Sequence, residues 1–237
     1  MGQLPELLDT FARLKASERR PSAPIPSLLD DYSLARTRDT ESNRNSAACF
    51  NVLRLLKADR SENTQSDVLA WLLDSNERRF GTHAQGNLGL RLFLAAARIA
   101  MPSQELPYVV RREVSSLRSR IDVEVACRGH YLIHIENKLW SNEGADQTHR
   151  EWLDLCKRAR LMDVPDSGVH AVFLSPAGGP CLNTRFSNMS WLELAGVFSQ
   201  FADEVVAANV RLFASHYAFW LTEIATSAIP TKDDHNG

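Results

Sequence analysis

RIDVEVACRGHYLIHIENK, residues 120–138, reads as two β-strands joined by a short turn. In the first, Ile121, Val123 and Val125 alternate with Asp122 and Glu124, which places the apolar residues on one face and both carboxylates on the other. The second runs from Tyr131 to Lys138. There Tyr131, Ile133, Ile135 and Asn137 share one face, and Leu132, His134, Glu136 and Lys138 share the other. Arg128-Gly129-His130 is the natural turn, because glycine tolerates positive φ. Folding about Gly129 sets Asp122 opposite Glu136 and Glu124 opposite His134, and directly opposed residues of an antiparallel pair share a face.

That register gathers Asp122, Glu124, Glu136 and Lys138 on one side of the hairpin. Clustered carboxylates repel one another and resist desolvation. A divalent cation would relieve both penalties, since Mg²⁺ takes oxygen ligands in octahedral geometry. Two carboxylates and a backbone carbonyl fit that demand, and a lysine two residues beyond a ligand glutamate faces the same centre. Spacing alone leaves open a half-exposed hairpin whose polar face is merely wet.

At these residues the chain resembles the PD-(D/E)XK nuclease superfamily. Asp122 and the Glu136-Asn137-Lys138 triplet, at the end of an apolar strand, carry the likeness. It is nearest to a bacterial branch with an IENK strand, in which an upstream Glu and a downstream Gln complete the site. The upstream piece here is SENTQSDVLAWLL, residues 61–73, with Glu62; the downstream piece is Gln147. The likeness spans roughly residues 45–200. It departs at one place: the branch often has an aromatic four residues after the Gln, whereas this chain has Glu151, with Trp152 one position later.

The resemblance implies a restriction-endonuclease-like αβββαβ core, an α/β fold around a mixed central sheet, with extra N- and C-terminal helices. It implies a Mg²⁺- or Mn²⁺-dependent phosphodiesterase acting on DNA, in bacterial DNA defence (phage defence included) or repair. Asp122 and Glu136 would hold the cation, with the Asn137 backbone carbonyl as a third ligand. Lys138 would position or activate water. Glu62 would bind metal indirectly or through a second ion, and Gln147 would orient the lysine or the scissile phosphate. By its place alone, Glu62 reads equally as a cap in the first turn of a helix. Glu113 is a further candidate ligand, with a surface ion pair to a nearby Arg as the plainer expectation.

The chain has 237 residues, 44% hydrophobic and 24% charged, with net charge −2. That composition is ordinary for a globular protein, and the length allows one large domain with an extension. No global basic signature is present, so a DNA partner must be held by a local patch. Arg150 and Lys157, seven residues apart on the helix expected over residues 145–162, share a face beside the acidic site and suit a phosphate backbone. A solvated helix face explains them as well. His149 points elsewhere. Cys49, Cys127, Cys156 and Cys181 form no zinc-type spacing and read as free thiols of a reducing cytoplasm. Neither a membrane span nor a leader is expected.

Residues 1–45 read as an arm, with an amphipathic helix over 4–16 and a Pro/Ser linker over 17–27. Residues 46–228 read as the nuclease-like domain and 229–237 as a polar tail. Within the domain, helices are expected over 47–56, up to Leu73, over 88–100, from Trp191 to about Ala208 and from Asn209 to Ser227. Strands are expected over 106–114 and 169–174. The first long helix should start at a Ser61 or Asn63 cap. The terminal helices are candidates for a homodimer contact, for which exposed apolar side chains would be the sign. A non-catalytic nucleic-acid-binding or interaction module on the same fold is the competing function.

Overall fold

The computed structural model describes residues 33–34, 36–38, 50–76, 80–100, 106–115, 119–139, 143–144 and 146–227. The helix expected over 4–16, the linker over 17–27 and the tail from 229 lie outside them. The chain divides into two compact units, residues 1–50 and 51–237. In the first, Ser33, Leu34, Arg36, Thr37 and Arg38 are helical and exposed, and the Thr37 hydroxyl donates to the Ser33 carbonyl at 2.9 Å.

The second unit runs α1 (Val52–Leu55), α2 (Glu62–Leu73), α3 (Leu88–Ala96), β1 (Val109–Ser115), β2 (Arg120–Cys127), β3 (Tyr131–Asn137), α4 (Gln147–Leu161), β4 (Val169–Ser175), β5 (Ser187–Ser190), α5 (Trp191–Glu204) and α6 (Ala208–Ser227). The strands form one sheet in sequence order. β1, β2 and β3 pair antiparallel, and β4 and β5 continue parallel to β3. This is an α/β fold around a mixed sheet, as a restriction-endonuclease-like core requires.

The β2–β3 hairpin has the register its alternation dictates: Glu124 lies opposite His134 and Val123 opposite Ile135. Gly129 takes φ +76° in the turn, a conformation costly for any residue with a Cβ. β3 is central and buried along its whole length. Its two faces feed two cores. Ile133 and Ile135, with Val123, Val125, Val172 and Leu174, pack under α2, α3, α5 and α6. Leu132, with Ala171 and Phe173, packs against Leu155 and Ala159 of α4.

The larger core is closed by the α5–α6 pair, where Phe198 meets Tyr217 at 4.4 Å and Trp191 meets Trp220 at 5.3 Å between ring centroids. The buried Tyr217 hydroxyl donates to Gln65 of α2 at 2.7 Å, so the aromatic payload costs no orphaned hydroxyl. α3 sits tight on α2 at Gly89, where a Cβ would fall 2.1 Å from the Leu72 carbonyl oxygen.

Several boundaries differ from the sequence reading. The helix expected over 47–56 is only Val52–Leu55 among the described residues. Leu53 is buried, while Phe50 and Leu56 are exposed, so no apolar stripe forms. α3 stops at Ala96, because Arg98 turns to φ +60°. β2 begins at Arg120, one residue before the alternating stretch. β5 was not expected. The helix expected to reach Ala208 ends at Glu204.

Candidate active site

The site begins where β2 alternates. Asp122 and Glu124 both point away from the larger core, but they go to different surroundings. The Asp122 carboxylate accepts the backbone N–H of Asn137 at 2.9 Å, which ties the edge of β2 to the end of β3. Arg112 of β1 donates to the Asp122 carbonyl at 3.2 Å and to the Asn63 carbonyl at 3.0 Å, and it pairs with Asp67 at 3.1 Å. This arginine therefore clamps the start of α2 to β2. Nothing in its local sequence marked it out.

β3 supplies Glu136, only 3% exposed. Its Oε1 receives the Lys138 ammonium at 2.8 Å and the amide nitrogen of Gln147. Two residues apart at the strand's end, Glu136 and Lys138 share a side. Between them, the Asn137 side chain turns to the core and donates to Ser66 at 3.1 Å.

α4 opens at Gln147, after Asp146 takes φ +52°. The Gln147 Oε1 accepts the Gly144 N–H at 3.2 Å, which fixes the amide so that Nε2 faces the carboxylates. That nitrogen donates to Glu136 and also to Glu151 Oε1 at 2.8 Å. Gln147 and Glu151 are four apart on one helix and so lie on one face.

Glu62 resolves an alternative left open by the sequence. Ser61 caps α2 by accepting the Thr64 N–H at 3.2 Å. Glu62 instead reaches across to the Leu139 N–H at 2.9 Å, just beyond Lys138. Glu62, Asp122, Glu136, Lys138, Gln147, Arg150 and Glu151 thus line one polar cleft of about 340 Å³. A larger and more apolar cavity of about 480 Å³, between Trp71, Phe80 and Phe213, lies apart from this constellation.

Burial dominates the cleft's electrostatics. It raises the Asp122 carboxyl; the Asn137 N–H and the charges of Lys138 and Arg112 oppose the shift, and Glu62 adds to it. Burial and the Asp122 charge push Glu136 up to about 7, against the pull of Lys138 and Gln147. Burial and the Glu136 charge push Glu151 up to about 8. For Lys138, burial acts to lower the pKa, but Glu136, Asp122 and Glu62 outweigh it and the ammonium is held above its ordinary range.

Glu124 is a correction to the expected cluster. It is fully buried, but away from the cleft. Arg111 meets it at 3.1 Å and the His134 ring at 3.1 Å, and Arg158 of α4 pairs with both of its oxygens. Burial acts to raise its pKa, yet these partners win and hold it at about 2. Glu113 is also outside the cleft lining. It ion-pairs with Arg112 at 3.7 Å and Arg120 at 3.8 Å on the surface, the plainer of its two expected roles. Its φ of +51° strains β1 between Arg112 and Val114, which pair with Val123 and Ile121.

Arg150 lines the cleft, and Lys157 lines an adjoining cavity of about 180 Å³ that shares Ser119 with it. His149 is exposed and lines neither. Trp152 is half-buried beneath the Arg185 guanidinium, 5.3 Å from the ring centroid.

The profile of the PD-(D/E)XK nuclease superfamily matches residues 50–226. The chain belongs to that superfamily. No curated protein and no solved structure matches it significantly. The PD-(D/E)XK match spans the whole sheet and every element that contributes to the cleft. It also makes a nuclease the general expectation for the activity, and PD-(D/E)XK nucleases generally use divalent metal ions.

The donors present are of the type such an ion takes. Glu136 and Glu151 each keep a buried Oε2 with no hydrogen-bond partner, and hard cations take carboxylate oxygens. Among the described residues, no three His, Cys, Asp or Glu groups stand close enough to define a metal centre by themselves. Lys138 and Gln147 lie on the oxygens between them. Glu151 was met in the sequence only as a missing aromatic. Its spacing of four from Gln147 on one helix was the signal that could have found it.

Proposed function

We propose that this protein is a divalent-cation-dependent nuclease that hydrolyses DNA phosphodiester bonds. The observation that carries the reading is the convergence of Glu62, Asp122, Glu136, Lys138 and Gln147, from α2, β2, the end of β3 and α4, on one polar cleft. Asp122 and Glu136 would hold Mg²⁺ or Mn²⁺, with the Asn137 backbone carbonyl as a third ligand and Glu62 acting indirectly or on a second ion. The bound ion supplies Lewis acidity at the scissile phosphate and lowers the pKa of an attacking water.

The chain's own groups do the rest. Lys138, already paired with Glu136, offers a fixed positive charge where negative charge grows on the phosphate. Gln147, pinned by Gly144, holds the Glu136 carboxylate in one orientation. Arg150 and Lys157, along the outer part of α4, hold the flanking phosphates. An intact set of carboxylates beside a buried lysine argues against a degenerate binding module, which has no need for such costly groups.

The test is cleavage of plasmid and single-stranded DNA with Mg²⁺, Mn²⁺ or EDTA. Cleavage of at least one substrate, supported by the cations and stopped by EDTA, is expected. Cleavage that ignores EDTA, or none with either cation, overturns the reading. Exposed Leu192, Leu212 and Phe219 on α5 and α6 support a homodimer through these helices; a monomer mass by light scattering would exclude it.

A further inference from the structure

Glu151 stands where the superfamily resemblance expects an aromatic ring, and it is 1% exposed. An aromatic there would fill the same space without bringing a charge. Instead the chain buries a second glutamate against Glu136. The two are bracketed by a single nitrogen, Nε2 of Gln147, which donates to one Oε1 of each. The bracket leaves both Oε2 atoms buried and without a donor. A buried carboxylate oxygen without a partner is rare in folded proteins and calls for a partner that arrives later.

Lys138 and Gln147 are committed elsewhere: Lys138 pairs with Oε1 of Glu136, and Gln147 is held by the Gly144 N–H on its own Oε1 while its Nε2 serves the two glutamate Oε1 atoms. Neither serves the two Oε2 atoms. A divalent cation would: it binds carboxylate oxygens directly and cancels the repulsion between two such groups.

We infer that Glu151 is a further divalent-cation ligand, sharing the ion with the free Oε2 of Glu136. This deepens the nuclease reading and rests on it for the class of ion. It assigns to α4 a direct part in metal binding, beyond orienting Glu136 through Gln147.

The experiment is calorimetric titration of Mn²⁺ into the metal-free full-length protein and three variants. Glu151→Gln keeps an acceptor for Gln147 but loses the charge. It is expected to weaken Mn²⁺ at least about tenfold, and to show a smaller rise in melting temperature on adding Mn²⁺. Gln147→Ala removes the bracket but leaves both carboxylates, and is expected to weaken Mn²⁺ less than Glu151→Gln does. Glu136→Gln is expected to abolish binding. Parent-like affinity in Glu151→Gln, with binding lost in Glu136→Gln, overturns this inference and leaves the metal site of the nuclease reading standing. An equal loss in Gln147→Ala and Glu151→Gln overturns it too, because Glu151 would then act only by holding Gln147. A parent that binds no Mn²⁺ overturns both. Should Glu151→Gln not fold, Glu151→Asp, which retracts the charge, is expected to weaken Mn²⁺ as well, and parent-like affinity in it counts against the inference.

Discussion

Asp122 and Glu124 lie two residues apart on β2 and on the same side of the sheet, yet the protein treats them in opposite ways. Glu124 is fully buried and surrounded by Arg111, Arg158 and His134, and its carboxyl is held at about 2. Asp122 is less buried but pushed upward, with Glu136 beside it at about 7 and Glu151 at about 8. Burial penalises all four, so burial does not separate them. The count of cationic and N–H donors does. Glu124 has a complement on both oxygens, whereas Glu136 and Glu151 each keep one oxygen with none. A buried acid that is fully paired holds the fold together. One left short of partners holds the fold back, and fits a cation that arrives from solvent.

The largest effect should come from the acids of the cleft. Asp122→Asn and Glu136→Gln are each expected to cut metal-dependent cleavage at least about a thousandfold. Neither should lower the melting temperature of the metal-free protein, and either can raise it, because each removes one of several repelling carboxylates. Lys138→Ala should lose cleavage too, but it should still bind metal, since lysine is no ligand at neutral pH. In EDTA it should melt lower, because Lys138 offsets the charges of Glu136, Asp122 and Glu62. A metal-free Asp122→Asn protein that is severely destabilised would erase the contrast with Glu124.

The paired group comes next. Arg158→Met strips Glu124 of its closest partner and leaves a fully buried charge with Arg111, which is half in solvent, and His134. A loss of about 3 kcal/mol in chemical denaturation is expected, with Mn²⁺ affinity unchanged. The two groups also run oppositely with pH. The Glu124 pKa is depressed from 4.5 to about 2, so its contribution is present above 4.5 and lost as pH falls through 2. Glu136 and Glu151 are raised from 4.5 to about 7 and about 8, so theirs is present below 4.5 and lost as pH rises through that range. In EDTA, the parent should lose stability on both sides of a mildly acidic optimum. Arg158→Met should move only the acid side, and Glu136→Gln should flatten only the alkaline side. Melting scans across pH check both.

The same contrast marks what was legible in the sequence. Strict alternation over Ile121–Val125 and the turn at Gly129 specified the hairpin and its register, because a one-residue slip would turn Val123 and Val125 out of the core. Ser61 announced α2 through local capping chemistry. Those signals are contained within a few residues. The fate of Glu124 is not, since its partners come from β1 and α4, 13 and 34 residues away. β5 was invisible for a similar reason. Ser187-Asn188-Met189-Ser190 buries only Met189 and exists as a strand because β4 offers it an edge, a tertiary effect that overrides propensity. Convergence of Glu62 and Gln147 on the E-x-K strand came from the superfamily resemblance, as no local pattern places a helix start against a strand end. Glu151 needed only the helical spacing from Gln147, but that spacing has meaning only once Gln147 is known to face the acids.

The smallest effect tests whether positive charge near the cleft divides as the acids do. Arg111 and Arg158 spend their charge on Glu124, so they should add little to the attraction of a phosphate backbone. Arg150 lines the cleft itself, and the exposed Lys157 lines the adjoining cavity two turns along the same helix. If these two meet phosphates, each displaces about one counterion, so replacing both with glutamine should reduce the slope of log K against log salt by roughly two. Affinity at physiological salt should fall only modestly, because sequence-independent contacts are spread over many groups. The measurement is DNA binding by anisotropy over a salt series, in Ca²⁺ or without metal so that cleavage does not intervene. Arg158→Met is the internal control and should leave the slope near that of the parent. A slope unchanged in the Arg150/Lys157 double variant would remove these residues from the DNA path. A slope that falls as far in Arg158→Met would mean that the Glu124 cluster does not neutralise its arginines, and the division between a structural and a functional acid would no longer hold for their partners.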